Sequence, residues 1–267
     1  MNWLATGGHA VLSLCSGYGG LELALQRVLP TSYVGAYCEN YGPAQQVLQA
    51  HNPRVDVFKD VRDPKLLNLK APIVTFGFPC QDLSVAGNRA GLDGERSGLF
   101  HTCMAVVRAT YPDLVVVENV PRLLRYRDVV NAQFHEAGFE TAWVTRRACD
   151  AGLPHKRERV FVVAKRPGVH FLGYCEPVEP TWPTPTGYIT GLGLSTAAQR
   201  RLLGNGVAPA GRARNLGRTE RTGLRDGSTP GRTPGSFRIN WPTTPAGATR
   251  APPPARPGER ESGPSSP

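Results

Sequence analysis

A mostly parallel β-sheet with helices on both faces is the α/β fold the sequence predicts, and three observations predict it. Five short apolar runs, AVLSL (10–14), SYVGAYC (32–38), APIVTFGF (71–78), DLVVVEN (113–119) and RVFVVA (159–164), recur through residues 10–165. Between them lie stretches whose apolar residues return at helical spacing. The runs are apolar almost throughout rather than alternating, as strands buried on both faces must be. A chain of 267 residues with 40% hydrophobic content suits one large α/β domain, or one domain with a small appendage.

The elements follow in order. AVLSL makes the first strand, and LELALQRVL (21–29) the first helix. SYVGAYC is the second strand; PAQQVLQAH (43–51) opens its helix with a proline, which a first helical turn tolerates. VDVFK (55–59) is a short third strand, and APIVTFGF a fourth that stops at Pro79. GLFHTCMAVVRAT (98–110) is a helix, DLVVVEN the fifth strand, and VVNAQFHEAG (129–138) a helix closed by glycine. RVFVVA is the next strand, and Ser195 is placed to N-cap a helix over 195–203.

The net charge of +10 favours polyanionic partners such as nucleic acid. It is unevenly spread. Residues 210–267 hold ten Arg, ten Pro and nine Gly against four acidic residues and no Lys, which supplies +6 of the excess. No apolar periodicity runs through this segment, so burial there does not offset ordering entropy, and a disordered tail is expected. It reads as an electrostatic tether or as an inert tail. No stretch of 18 or more apolar residues exists, and MNWLATGGHAVLSL lacks a basic segment before a long apolar one. Neither a membrane span nor a secretory signal is expected. The six cysteines, at 15, 38, 80, 103, 149 and 175, form no CxxC pair, so no metal site is expected. Four of them lie in or beside apolar runs, which reads as the reduced interior of a cytoplasmic protein.

In such sheets, ligands bind beyond the carboxyl ends of the strands. After the first strand comes CSGYGGLE (15–22), where Gly17, Gly19 and Gly20 permit tight turning, for a nucleotide or simply for packing. Glu39 ends the second strand, placed to accept hydrogen bonds from ribose hydroxyls, and Asp60 follows the third. Pro79 and Cys80 follow the fourth, where the cysteine either packs as a small hydrophobe or is presented as a nucleophile. Glu118 and Asn119 emerge from VVV, and a glutamate there is costly unless paired or functional. Arg157 and Arg159 alternate around Glu158 at the entry to a strand, which places both on one face. One sheet edge thus gathers a thiol, a carboxylate and two guanidiniums beside a nucleoside pocket.

These residues, in this order, resemble the DNA (cytosine-5) methyltransferase family. SGYGG matches its first, cofactor-binding motif, and Glu39 and Asp60 match the acids of the second and third. GFPCQDLS matches the catalytic-cysteine motif, and ERSGLF (95–100) the segment after it. ENV (118–120) and HKRER (155–159) match the motifs of the catalytic Glu and Arg, and LGNGVAP (203–209) matches the last motif. The resemblance covers roughly residues 9–209. It implies a Rossmann-like S-adenosylmethionine-dependent methyltransferase fold and methyl transfer to carbon 5 of cytosine in double-stranded DNA. Cys80 would add to the ring of a flipped-out base. Glu118 would hydrogen-bond the ring, Arg159 would stabilise its carbonyl side, and Arg157 would brace the site or reach phosphate. S-adenosylmethionine would meet Ser16, Gly17, Tyr18, Gly19, Gly20, Glu39, Asn40, Asp60, Val61, Pro79, Leu99, Asn205 and Val207, with no metal. A monomer is expected. Other readings of the same motifs are a tRNA cytosine-5 methyltransferase and a relic that only binds cofactor or DNA.

The chain also departs from the family pattern. Cys15 stands where an aromatic residue usually stacks on the adenine, Ser13 where an acid is common, and His155 where a glutamine is usual. The resemblance divides the chain into a catalytic and cofactor-binding domain (1–165), a reduced target-recognition region (166–194), a return segment with the last motif (195–209) and the tail (210–267). Family members usually carry a recognition region of about a hundred residues. Here about forty fill the gap, with Trp182 and Tyr188 as candidates to touch DNA. Past 209, where a further helix is usual, GRARNLGRTERTGLRDG is glycine-broken, as a disturbed reading frame would leave it.

Overall fold

The computed structural model of the protein describes residues 8–79, 98–151, 156–169 and 188–205. Their strands are β1 (His9–Leu14), β2 (Ser32–Cys38), β3 (Asp56–Phe58), β4 (Ile73–Phe76), β5 (Leu114–Asn119), β6 (Glu140–Arg147) and β7 (Glu158–Lys165). They form one sheet in the order β3-β2-β1-β4-β5-β7-β6. β1 to β5 pair in parallel, as the apolar runs predict. β7 enters between β5 and β6 and runs antiparallel to both. The helices are α1 (Gly20–Val28), α2 (Gly42–His51), α3 (Leu99–Thr110), α4 (Arg127–Glu136) and α5 (Thr196–Asn205).

Alternate side chains of the strands bury against different helices, which is why the runs are apolar on both parities. Leu12, Leu14, Val74, Phe76, Val115, Val117, Val160 and Val162 join Phe100, Met104 and Val107 of α3 and Phe134 of α4 in one core. On the opposite face Val11, Ile73 and Val163 meet Leu25 of α1, and Tyr37 meets Leu48 of α2. Helices therefore cover both faces.

β6 is the strand that the sequence reading omits. ETAWVTRR carries too few apolar residues to stand out, because as an edge strand it is hydrogen-bonded on one side only. The helix expected at 129–138 starts two residues earlier, at Arg127, and ends at Glu136, with Gly138 at φ 82 turning the chain towards β6. The Ser195 cap is present: its Oγ accepts from Ala198 N–H at 3.2 Å.

Residues 188–205 close back onto α2. The Tyr188 and His51 rings stack with centroids 3.6 Å apart, and His51 Nε2 lies 2.7 Å from the Tyr188 carbonyl. Gln46 donates to the Leu192 carbonyl at 2.6 Å, and the Arg201 guanidinium lies 4.2 Å from the centre of the Tyr41 ring. Ile189 and Leu202 complete a buried cluster with Tyr18, Ala44 and Val47. Residues 170–187 and 206–267, which hold most of the expected recognition region and all of the expected tail, lie outside the described residues. Phe134 is fully buried and meets Phe139 edge-on at 5.9 Å. Phe134→Ala is expected to lower the free energy of unfolding by about 3–5 kcal/mol in a urea titration.

Candidate active site

The carboxyl end of β1 turns sharply into α1. Cys15, Gly17 and Gly19 all take positive φ, at 51, 56 and 88. Gly19 has a second constraint, since a Cβ there would lie 3.2 Å from Leu48 Cδ2. A Cβ at Gly17 would meet nothing within 4 Å, so the space over the turn is open. Ser16 ties the turn down. Its N–H donates to the Cys38 carbonyl at 3.1 Å, and its Oγ lies within bonding distance of the Ser13 and Cys38 carbonyls. Half-buried Cys15 hydrogen-bonds the fully buried Cys103 thiol, and that bond and burial push the Cys103 thiol up.

Glu39 reaches into this turn from β2. Its Oε2 accepts from Gly17 N–H at 2.7 Å and its Oε1 from Tyr41 N–H at 2.8 Å. Burial holds the carboxyl above the usual range, opposed by the backbone donors of Tyr41, Gly17 and Asn40. A carboxylate has about four acceptor directions, so three donors leave one for a ligand. An open, glycine-lined turn beside a buried acid with a spare acceptor direction fits a nucleoside with vicinal hydroxyls. Asp60 stands beyond β3 with its Oδ1 accepting from Arg62 N–H at 2.9 Å, and Val61 beside it is buried. Asn40 is exposed, whereas Tyr18 is almost fully buried, and its burial raises its phenol.

A second group gathers at the ends of β4, β5 and β7. Glu118, with its side chain 9% exposed, is ion-paired to Arg159 across the antiparallel ladder, Nε to Oε1 at 2.8 Å. The N–H is poorly aligned with that oxygen, so the contact is ionic rather than a good hydrogen bond. Burial pushes the Glu118 carboxyl up, while Arg159 and then Arg157 pull it down. Arg157 precedes β7, and its guanidinium lies 3.5 Å from the Leu203 carbonyl of α5. The neighbouring Asn119 donates from Nδ2 to the Phe78 carbonyl at 3.1 Å, and the missing Cβ of Gly77 would lie 3.4 Å from Glu118 Oε2. β5 thus grips the segment that leads to Pro79. Tyr18 feels the charges of Arg157 and Glu118, which joins the two groups.

The remaining candidates are less complete. Pro79 and Leu99 flank an interval that lies outside the described residues and contains Cys80. Asn205 ends α5, and Val207 and His155 also lie outside the described residues. Glu22 is the polar residue that the sequence reading passed over. It sits on the Glu22–Leu25–Leu29 stripe of α1, at spacings of three and four, and an acid on an apolar stripe was the available signal. Among the described residues no group of three His, Cys, Asp or Glu could hold a metal ion, and no helix is long and apolar enough to cross a membrane.

The C-5 cytosine-specific DNA methylase family matches residues 9–210. Among individual proteins, the Type II methyltransferase M2.BsuMI of Bacillus subtilis is 36% identical over 58% of this chain and 41% of its own length. The Type II methyltransferase M.CviJI of Paramecium bursaria Chlorella virus IL3A is 33% identical over 58% of this chain and 42% of its own length. The chain therefore spans less than half the length of these relatives. A mutant of Spodoptera frugiperda DNMT2 superposes with a TM-score of 0.51, 19% identity, and coverage of 62% of this chain and 52% of that one, a likeness of fold. With the match running through both groups of residues at the sheet edge, the chain belongs to the C-5 cytosine-specific DNA methylase family.

Proposed function

We propose that the protein transfers a methyl group from S-adenosylmethionine to carbon 5 of cytosine in double-stranded DNA. The observation that carries this reading is the Glu118–Arg159 pair, buried at a strand end and fastened through Asn119 to the segment entering Pro79-Cys80. The turn at Gly17–Gly20, Glu39 and Asp60 would hold the cofactor, with Leu99 and the return segment closing over it. When bound, S-adenosylmethionine supplies an electrophilic methyl group.

Carbon 5 of cytosine is a weak nucleophile, and Cys80 would overcome this by adding its thiolate to carbon 6. The ring's π electrons then build up at carbon 5 and towards N3. Glu118, in its protonated form, would donate to N3 and accept from the exocyclic amine, neutralising charge as it develops there. Arg159 would fix the carboxyl and face the ring carbonyl, and Arg157 would brace β7 against α5. Methyl transfer would leave S-adenosylhomocysteine, and loss of the carbon 5 proton to water with expulsion of the Cys80 thiolate would restore the aromatic ring. A base inside a duplex cannot reach such a pocket, so the target must flip out.

Nucleoside mass spectrometry of duplex DNA incubated with the protein and S-adenosylmethionine is expected to give 5-methylcytosine, with none on tRNA. No product from a folded, cofactor-binding sample would sink the reading. Cys80→Ser is expected to abolish transfer and leave cofactor affinity unchanged in the same assay. Glu118→Gln is expected to lower kcat by roughly 100- to 1000-fold while retaining DNA in a gel shift.

Arg159→Met leaves the Glu118 carboxyl buried without its partner, at a cost of about 3–5 kcal/mol in urea unfolding at neutral pH. Without the arginine, burial raises that carboxyl further in the folded state. A raised acid favours folding below its unfolded pKa and loses that contribution as pH rises through the folded one. The deficit of the variant is therefore expected to be larger at pH 8 than at pH 5.

A further inference from the structure

Glu22 takes no part in the mechanism above, yet at 2% exposure it is the most deeply buried acid among the described residues. It lies in the first turn of α1, directly after the glycine turn. Its Oε1 accepts from Ser13 Oγ at 2.9 Å and from Thr75 Oγ1 at 2.5 Å, two residues that stand side by side in the β1–β4 register. Its Oε2 is equally buried and has no hydrogen-bond donor. Two neutral hydroxyls on one oxygen do not offset the desolvation of a carboxylate whose other oxygen is bare. The groups acting on it most strongly are those hydroxyls and its own backbone N–H. The titratable groups facing it are the Tyr37 phenol of β2 and the Tyr188 phenol of the return segment, which both feel its charge and carry no counter-charge. A buried acid left in this state has a partner still to come.

The position says what that partner is. Ser13 Oγ is also 2.8 Å from Ser16 Oγ, so the carboxyl is joined through two hydroxyls to the Gly17–Gly20 turn. A Cβ on Gly17 would meet nothing within 4 Å, so the far side of this turn is open to a ligand. We propose that Glu22 is the counter-charge for the cationic methionine end of S-adenosylmethionine, its ammonium and sulfonium groups, acting from beneath the glycine turn. This rests on the cofactor reading given above. A charge in such a dry setting is weakly screened, and its field reaches across one layer of backbone.

A consequence in protons follows. Burial holds the Glu22 carboxyl above the usual range, so in the free chain it keeps its proton to higher pH. A cation settling above the turn lowers it, and the proton passes to the buffer. Isothermal titration in two buffers of different ionisation enthalpy counts those protons. The probes are S-adenosylmethionine and 5′-methylthioadenosine, which keeps the nucleoside and lacks both cationic groups.

Glu22→Gln is expected to bind S-adenosylmethionine about 10- to 100-fold more weakly, to keep its affinity for methylthioadenosine within about twofold, and to lose the proton release. Ser13→Asp in that background is expected to recover part of the affinity. Ser13→Ala removes a hydroxyl and leaves the charge, so it retains the proton release. Equal weakening of both ligands would make Glu22 a structural residue and overturn the inference, as would unchanged affinity for S-adenosylmethionine. Failure of the unaltered chain to bind either ligand would instead overturn the cofactor reading, and this inference with it.

Discussion

A carboxylate at the end of a buried strand has lost most of its water, and something must stand in for it. In this sheet Glu118 is answered by Arg159 from the neighbouring strand at 2.8 Å. That answer is possible only because β7 runs antiparallel to β5. A parallel neighbour would begin at the opposite edge and send its first residues away from Glu118. The reversal brings the start of β7, with Arg157 and Arg159, to the edge where β5 stops. Asn119 then fastens the same edge to Phe78. The geometry of the Glu118–Arg159 pair is a property of the ladder more than of any loop.

The glycine-turn side obeys the same constraint with different means. Glu39 is buried and is met by backbone N–H groups of the turn and of the residues after β2. Glu22 is buried and is met by hydroxyls on one oxygen only. Three acids thus crowd one end of the sheet, each raised by burial and each neutralised to a different degree. Of these three, Glu118 is the one with an ion-pair partner among the described residues. The order of decreasing compensation, from Glu118 through Glu39 to Glu22, matches the order in which a bound ligand would have to supply what is missing.

Much of this was legible in the sequence, and the reasons differ by element. AVLSL, APIVTFGF and DLVVVEN announce themselves because central parallel strands must be apolar on both parities. Ser195 could be placed because a cap is a local bond between side chain and adjacent backbone. ETAWVTRR could not, since an edge strand is defined by its partner rather than by its own composition. Nor could the direction of β7, because RVFVVA reads the same in either orientation. Glu39 was picked out by its place after a strand, but its clasp on Gly17 depends on a contact between residues far apart in the chain. Glu22 was passed over inside a good helix, although its place on the same stripe as Leu25 marked it.

The insertion of β7 between β5 and β6 also sets an order of events in folding. β1 to β5 pair with strands already made, so the parallel part of the sheet can assemble as the chain lengthens. Until β7 is present, β5 is an open apolar edge and Glu118 has no partner. β6 is made before β7 yet sits outside it, so it cannot dock directly on β5 without occupying the wrong place. Sealing that edge and pairing Glu118 therefore both depend on the same late strand. A chain stalled before that arrival would expose a sticky edge and an unpaired charge at the same place, which is where misassembly would begin.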